Sequence, residues 1–177
     1  PVANAGPNGT LTCVIHDVTL NGTASSTGSN FEYQWTASNG GTILSGDSTL
    51  TPVVTSTGSY TLVVTNTSNG CKSSGTALVN NNLAPPTAVV APGGQITCAL
   101  PSIQLSGAGS STGANFTYEW TSVSGGGISA GVNTLTPTVT AVGTYILTVT
   151  NTTNGCTSTA STSVTSNANV PISLAVP

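Results

Sequence analysis

Residues 58–66 read Gly-Ser-Tyr-Thr-Leu-Val-Val-Thr-Asn, and in this stretch Tyr60, Leu62 and Val64 occupy every second position. Side chains two residues apart point to the same face of a β-strand. The stretch therefore predicts a strand that turns one apolar face to a core, with Thr61 and Thr65 on the opposite face.

The same stretch recurs at residues 143–151 as Gly-Thr-Tyr-Ile-Leu-Thr-Val-Thr-Asn, 85 residues later and without a gap. Self-similarity at a fixed period is typical of tandem modules. We therefore expect a first copy at residues 1–85, a second copy at 86–170 and the start of a third copy at 171–177. The other residues that keep the period include Cys13 and Cys98, Trp35 and Trp120, and Cys71 and Cys156.

A second alternating stretch supplies the aromatic residues of each predicted core. Phe31, Tyr33 and Trp35 fall at i, i+2 and i+4, so their rings lie on one side of a strand. Leu11, Cys13 and Ile15 likewise predict one face of an early strand. Glycine- and proline-rich turns separate these stretches, and none has the apolar spacing of a helix. We predict an all-β chain of two tandem Greek-key, immunoglobulin-like (PKD-like) β-sandwiches. Their structural cores hold eight rings, those of Phe31, Tyr33, Trp35, Tyr60, Phe116, Tyr118, Trp120 and Tyr145.

The four cysteines occupy two equivalent positions in each copy. Four cysteines allow three pairings, and because a self-contained copy must close its own bond, the repeat favours Cys13 with Cys71 and Cys98 with Cys156. Disulfides indicate an oxidising compartment outside the cytosol. The alternative is two pairs of buried free thiols. A zinc site is less favoured, since the chain has a single histidine, His16, and no Cys-x-x-Cys spacing.

Charged residues make up 3% of the chain, with a formal net charge of −3. An ordinary soluble protein has about 25%. So weak a field gives no basis for binding nucleic acid. No apolar run approaches the roughly 20 residues that a membrane-spanning helix needs, so we expect no membrane insertion in this segment.

No catalytic or metal-binding constellation repeats in the two copies. The four acids, Asp17, Glu32, Asp47 and Glu119, are scattered and unrepeated. Paired catalytic carboxylates and calcium sites both need several such groups close together. We therefore expect no enzyme activity, no metal and no cofactor.

Several triplets are candidate glycosylation acceptors, which would make the chain a glycoprotein. Five asparagines begin an Asn-x-Ser/Thr triplet, and Asp47-Ser48-Thr49 is similar to the short O-glycosylation signal of Bacteroidota. Sugars would explain how a nearly uncharged surface stays soluble. The acceptors are Asn8, Asn21, Asn66, Asn115, Asn151 and Ser48.

The chain resembles the PKD-like and immunoglobulin-like repeats of Bacteroidota cell-surface proteins over both copies. The resemblance is carried by residues 58–66 and 143–151, by the Tyr-x-Trp strands at 30–35 and 115–120, and by the Asn-Gly-Cys tripeptides at 69–71 and 154–156. Gly58 and Tyr60 also resemble a tyrosine corner, in which the phenol binds backbone upstream. The resemblance implies long adhesins of gliding motility, exported by the type IX route.

These observations predict structural repeats that form the shaft of a long extracellular adhesin or cell-surface filament. The expected location is extracellular, at the cell surface. The expected partners are neighbouring repeats of the same chain, with surface polysaccharide or like filaments as further candidates. Two alternatives stay open: a carbohydrate- or protein-binding accessory module of a secreted enzyme, and a filament subunit that donates a strand to its neighbour.

Overall fold

The structure, a computed structural model, describes residues 1–167. The chain forms two compact units, the first at Pro1–Ala84 and the second beginning at Pro85. We call them module 1 and module 2. The predicted start of a third copy at 171–177 lies outside the described residues.

Every regular element of residues 1–167 is a β-strand, seven in each module. Module 1 contains β1 (Gly9–Thr12), β2 (Val18–Thr19), β3 (Phe31–Ser38), β4 (Ile43–Ser45), β5 (Val53–Val54), β6 (Gly58–Asn66) and β7 (Lys72–Asn82). Module 2 contains β8 (Gln95–Ile96), β9 (Ile103–Gln104), β10 (Phe116–Ser122), β11 (Ile128–Ala130), β12 (Thr138–Val139), β13 (Gly143–Asn151) and β14 (Thr157–Ser166). The predicted all-β class is confirmed.

The strands of each module form one four-stranded and one three-stranded sheet. In module 1 the orders are β1-β7-β6-β3 and β2-β5-β4. In module 2 they are β8-β14-β13-β10 and β9-β12-β11. The neighbours in these sheets are antiparallel except at one edge, where β1 pairs parallel with β7 and β8 pairs parallel with β14. Two such sheets facing each other are the immunoglobulin-like sandwich that the sequence predicts.

Side chains from both sheets meet in one core per module. In module 1, Trp35 and Tyr60 come from the four-stranded sheet and Val54 from the three-stranded sheet, and all three are at most 1% exposed. Strand β6 alternates as predicted, with Tyr60, Leu62 and Val64 buried at every second position. Module 2 repeats the arrangement with Trp120, Val139, Tyr145, Leu147 and Val149.

A tight turn and a close backbone contact bring β3 and β4 toward β6. Asn39 and Gly40 have φ angles of 54° and 86°, which glycine and asparagine adopt readily. The turn brings Gly41 against Gly58, where a Cβ would lie 2.6 Å from the Gly41 Cα atom. Glycine at 58 therefore allows the start of β6 to approach this turn.

No helix within residues 1–167 has the length and apolar character to span a membrane.

Candidate functional site

The cysteines do not pair within modules as the sequence predicts. Cys13 and Cys156 are disulfide-bonded, whereas Cys71 and Cys98 are exposed free thiols. The predicted pairs Cys13–Cys71 and Cys98–Cys156 are therefore wrong.

The parallel pairing of β1 with β7 explains why Cys13 and Cys71 cannot meet. Thr12 lies opposite Asn82, the last residue of β7, so Cys13 follows at that end of the strand. Cys71 immediately precedes Lys72, the first residue of β7. β7 has 11 residues, and at about 3.3 Å per residue its ends lie roughly 33 Å apart. A disulfide needs Cα atoms within about 7 Å.

Module 2 separates its two cysteines in the same way. Ile96 lies opposite Ser166 at the end of β14, and Cys98 follows two residues later. Cys156 immediately precedes Thr157, where β14 begins. β14 has 10 residues, which places its ends about 30 Å apart. Each module thus carries one cysteine at each end of its last strand.

These two ends are also where the chain enters and leaves a module. The first residues of module 1 lie beside the start of β7, because the Ala3 carbonyl and the Ala5 amide face Gly75. The chain leaves after Asn82, at the far end. We call the end with Cys71 or Cys156 the entry end and the end with Cys13 or Cys98 the exit end.

Two serines fix the entry segment of each module. The Ser25 hydroxyl accepts a hydrogen bond from the Asn4 amide at 2.9 Å, and the Ser26 hydroxyl accepts one from the Val2 amide at 2.8 Å. Ser110 and Ser111 do the same for the amides of Val89 and Thr87, both at 2.9 Å. Our sequence analysis missed these serines, although their recurrence at the 85-residue period is a usable signal.

Hydrogen bonds also shape the turn that carries Cys71. The Asn66 amide donates to the Cys71 carbonyl at 2.8 Å, and the Gly70 amide donates to the Asn66 carbonyl at 2.7 Å. The Asn69 side chain accepts from the Cys71 amide at 3.0 Å. The thiol is thus presented by a closed turn whose backbone positions are fixed.

A threonine shapes the turn at the exit end and ends β1 earlier than predicted. The Thr12 hydroxyl accepts hydrogen bonds from the amides of Val14 and Ile15 at 3.3 and 3.0 Å. Strand β1 therefore ends at Thr12, and Cys13 and Ile15 are exposed. The prediction that Leu11, Cys13 and Ile15 share a strand face is wrong. Thr97 begins the corresponding turn before Cys98 and accepts from the Leu100 amide at 3.0 Å.

The tyrosine corner predicted at Tyr60 is confirmed. Its hydroxyl donates to the Ser56 carbonyl at 2.7 Å and accepts from the Thr42 amide at 3.0 Å. In module 2 the Tyr145 hydroxyl donates to the Ala141 carbonyl at 2.7 Å. Burial raises the pKa of Tyr145 above its ordinary value of 10.0, and hydrogen bonds to the backbone of Ala141 and Gly127 partly oppose that rise.

The other aromatic residues have their polar atoms satisfied inside each module. The Trp35 indole donates to the Thr49 carbonyl, and Trp120 donates to Thr134, both at 2.8 Å. The Tyr33 hydroxyl donates to Ser26 at 3.1 Å. These side chains pack on or in the core, as do the half-buried rings of Phe31, Phe116 and Tyr118.

The candidate glycosylation acceptors are exposed or half-buried. Asn21 and Asn115 are exposed, as is Ser48, whose hydroxyl donates to the Asp47 carboxylate at 3.1 Å. Asn66 and Asn151 are half-buried, and each side-chain oxygen accepts from an amide two residues on, at 3.0 Å. Asn8 is exposed, and its oxygen accepts from the Leu78 amide of β7 at 2.9 Å.

The acidic residues lie on the surface. Asp17, Glu32, Asp47 and Glu119 are all exposed. Among residues 1–167 no three His, Cys, Asp or Glu side chains come close enough to hold a metal ion together. One shallow depression recurs in both modules, lined in module 2 by Phe116 to Glu119 with Asn133 and in module 1 by Phe31 to Gln34 with Ser48.

Several solved structures are similar to the chain. No family model and no curated protein matches it. Extracellular domains 3–5 of Drosophila OTK are similar over 91% of this chain and 59% of theirs, with 13% identity and a TM-score of 0.39. Immunoglobulin domains 1–5 of Sidekick-1 are similar over 94% of this chain and 38% of theirs, with 14% identity and a TM-score of 0.43.

A third similar structure is the three N-terminal domains of Hoc, the highly immunogenic outer capsid protein of bacteriophage RB49. The match covers 93% of this chain and 59% of the Hoc structure, with 17% identity and a TM-score of 0.46. The chain thus spans between 38% and 59% of these three structures. The likeness concerns fold alone, and the strand order independently defines two tandem immunoglobulin-like domains.

Proposed function

We propose that this chain is part of the shaft of a long extracellular adhesin or cell-surface filament, of the gliding-adhesin type that its sequence resembles in Bacteroidota. Its modules supply length and mechanical resistance. The observation that carries the proposal is the parallel pairing of the first strand of each module with its last strand.

The parallel pairing determines how a pulling force acts on a module. The chain enters module 1 at one end of β7 and leaves at the other, so tension on the termini pulls β1 and β7 in opposite directions along their lengths. In that geometry the paired residues share the force, whereas strands peeled apart from one end break their hydrogen bonds one after another. Tension therefore meets the whole β1/β7 pairing at once.

The surface and the cysteines fit an extracellular shaft. A disulfide at Cys13 and Cys156 indicates an oxidising location. Four of the candidate glycosylation acceptors, Asn8, Asn21, Asn115 and Ser48, are exposed. Glycosylation of the acceptors is part of the proposal. Intact-mass measurement of the natural protein tests it, since attached sugars add mass that removal of glycans abolishes.

The two modules differ in the length of this pairing, which makes the proposal testable. β1 pairs with β7 through four residue pairs, Gly9–Val79 to Thr12–Asn82, whereas β8 pairs with β14 through two. The Asn8 side chain extends the pairing in module 1 by accepting from the Leu78 amide. Its counterpart in module 2 is Gly93, which has no side chain to do so.

Single-molecule pulling of the intact chain under reducing conditions, so that no disulfide limits extension, should show two unfolding events of unequal force. Asn8→Ala should lower the stronger event and leave the weaker one unchanged. The control is Thr61→Ala, which removes a side-chain hydrogen bond to Thr76 of 3.1 Å that joins β6 to β7 outside the β1/β7 pair. An Asn8→Ala chain with both forces unchanged would contradict the proposed path of force.

A second candidate function is a carbohydrate-binding accessory module of a secreted enzyme. The depression that recurs along β3 and β10 favours it, because equivalent residues line it in both modules. A glycan array probed with the intact chain separates the two functions. Specific binding that is lost in Glu119→Ala and Glu32→Ala chains supports the binding module, and absence of binding supports the shaft.

A further inference from the structure

The two free thiols are the repeat equivalents of the two bonded cysteines. Cys71 corresponds to Cys156 and Cys98 corresponds to Cys13 in the 85-residue period. Cys13 and Cys156 are disulfide-bonded, whereas Cys71 and Cys98 are free and exposed. The exit-end Cys13 and the entry-end Cys156 are thus oxidised. The exit-end Cys98 and the entry-end Cys71 remain available for a bond.

A free thiol of this chain cannot find its partner inside its own module. Cys71 lies at the entry end of module 1 and Cys13 at its exit end, roughly 33 Å away by the length of β7. Cys98 and Cys156 are separated along β14 by about 30 Å. A covalent partner for either thiol must therefore come from another module.

We propose that Cys98 of one chain forms a disulfide with Cys71 of a second copy of this chain, joining an exit end to an entry end. The two thiols lose two protons and two electrons as the S–S bond forms. A disulfide oxidant such as oxidised glutathione accepts them and is reduced to two thiols. The reaction proceeds through a mixed disulfide on the cysteine that is oxidised first.

The charges at the two ends favour this pairing over a Cys71–Cys71 bond. Lys72, the only Lys or Arg residue of the chain, is exposed immediately after Cys71. A Cys71–Cys71 bond would bring two Lys72 ammonium groups together, and like charges in an interface oppose association. Cys98 lies between Thr97 and Ala99, which carry no charge. A Cys98–Cys71 bond therefore has one Lys72 ammonium group beside it and no second ammonium group to repel it.

A second copy of this chain can supply the partner, because both halves of the bond exist among its residues. Because the two modules offer one exit-end thiol and one entry-end thiol, bonds of this kind propagate head to tail. Oxidation then lengthens a shaft, because each disulfide joins the exit end of one chain to the entry end of the next. This inference rests on the positions of the cysteines and stands whether the modules form a shaft or bind a ligand.

The test uses two complementary variants of the intact chain, Cys71→Ser and Cys98→Ser. Each retains a single free thiol, and because both positions are exposed, the substitutions should leave the fold unchanged. The variants are mixed in equal amounts with oxidised glutathione, and the products are separated without reduction. Mass spectrometry of disulfide-linked peptides then distinguishes the mixed dimer from either homodimer and checks that Cys13 and Cys156 remain bonded.

Random pairing of equally reactive thiols gives about twice as much mixed dimer as either homodimer. We expect the ratio of the Cys98–Cys71 dimer to the Cys71–Cys71 dimer to be higher than that. The unsubstituted chain should form a ladder of linear oligomers, whereas either variant alone should stop at dimers. Random product ratios, or chains that end with only glutathione attached to Cys71 and Cys98, would overturn the proposal.

Discussion

Replacing Tyr60 with phenylalanine removes only the hydroxyl of the tyrosine corner. That hydroxyl donates to the Ser56 carbonyl at 2.7 Å and accepts from the Thr42 amide at 3.0 Å, while the ring is 0% exposed. A hydrogen bond contributes about 0.5–1.5 kcal/mol net, and a buried group left without a partner costs about 1–3 kcal/mol. We therefore expect Tyr60→Phe to lower the free energy of unfolding of module 1 by about 2 kcal/mol.

The matched control is Tyr145→Phe in module 2. Its hydroxyl donates its single proton to the Ala141 carbonyl at 2.7 Å, and the Gly127 carbonyl oxygen lies 3.5 Å from the hydroxyl oxygen. Both neighbouring groups are carbonyls, which can accept other hydrogen bonds. We expect a smaller loss, of about 1 kcal/mol, confined to module 2.

Amide hydrogen exchange of the intact chain measures both losses, since peptides can be assigned to their module. A change of 2 kcal/mol corresponds to an increase of about 30-fold in the exchange rate of core amides that open by global unfolding. Tyr60→Phe should show that increase in β6 and β7 and leave β13 unchanged. Equal effects of the two substitutions, or no effect of Tyr60→Phe in module 1, would refute this account of the corner.

Three further predictions concern the cores and the pH dependence. Gly58→Ala should destabilise module 1 by about 1–3 kcal/mol in chemical denaturation, because the new Cβ would lie within 2.6 Å of the Gly41 backbone; an unchanged midpoint would mean that the two segments are not in contact. Leu62→Ala should cost about 2–5 kcal/mol, since Leu62 is 0% exposed, and a loss below 1 kcal/mol would contradict its place in the core. The raised pKa of Tyr145 stabilises module 2 fully below pH 10, and this contribution is lost as the pH rises through the folded-state pKa. Denaturation of the wild type should therefore become easier above pH 10, and a Tyr145→Phe chain with the same pH dependence would refute the assignment to Tyr145.

Sequence patterns predict the strands and the tyrosine corner because both are encoded locally. The alternation of Tyr60, Leu62 and Val64 specifies which side chains face the core. Gly58 two residues before Tyr60 marks the corner, which needs a backbone carbonyl only four residues upstream. Neither feature requires knowledge of which strands are neighbours.

The cysteine pairing could not be predicted because it depends on the direction in which the edge strand pairs. The 85-residue period assigns Cys13 and Cys71 to one module, which favours a bond between them. The parallel register of β1 and β7 instead places them at opposite ends of the sandwich. Strand direction follows from packing between residues far apart in sequence, and the period of a repeat carries no information about it.

The end of β1 was mispredicted for a local reason. The alternation of apolar residues continues through Leu11, Cys13 and Ile15. The Thr12 hydroxyl, however, accepts hydrogen bonds from the amides of Val14 and Ile15 and turns the chain away from β7. Threonine can compete with a sheet in this way because its side chain binds nearby backbone amides. A threonine directly before each early cysteine, at 12 and 97, is the signal that the pattern analysis did not use.

Each module carries its cysteines at opposite ends, where they cannot bond to each other. Alkylation of the unreduced chain, followed by digestion and mass spectrometry, determines which cysteines are bonded. We expect alkylated Cys71 and Cys98 together with disulfide-bonded Cys13 and Cys156. Recovery of peptides that link Cys13 to Cys71, or Cys98 to Cys156, would contradict it.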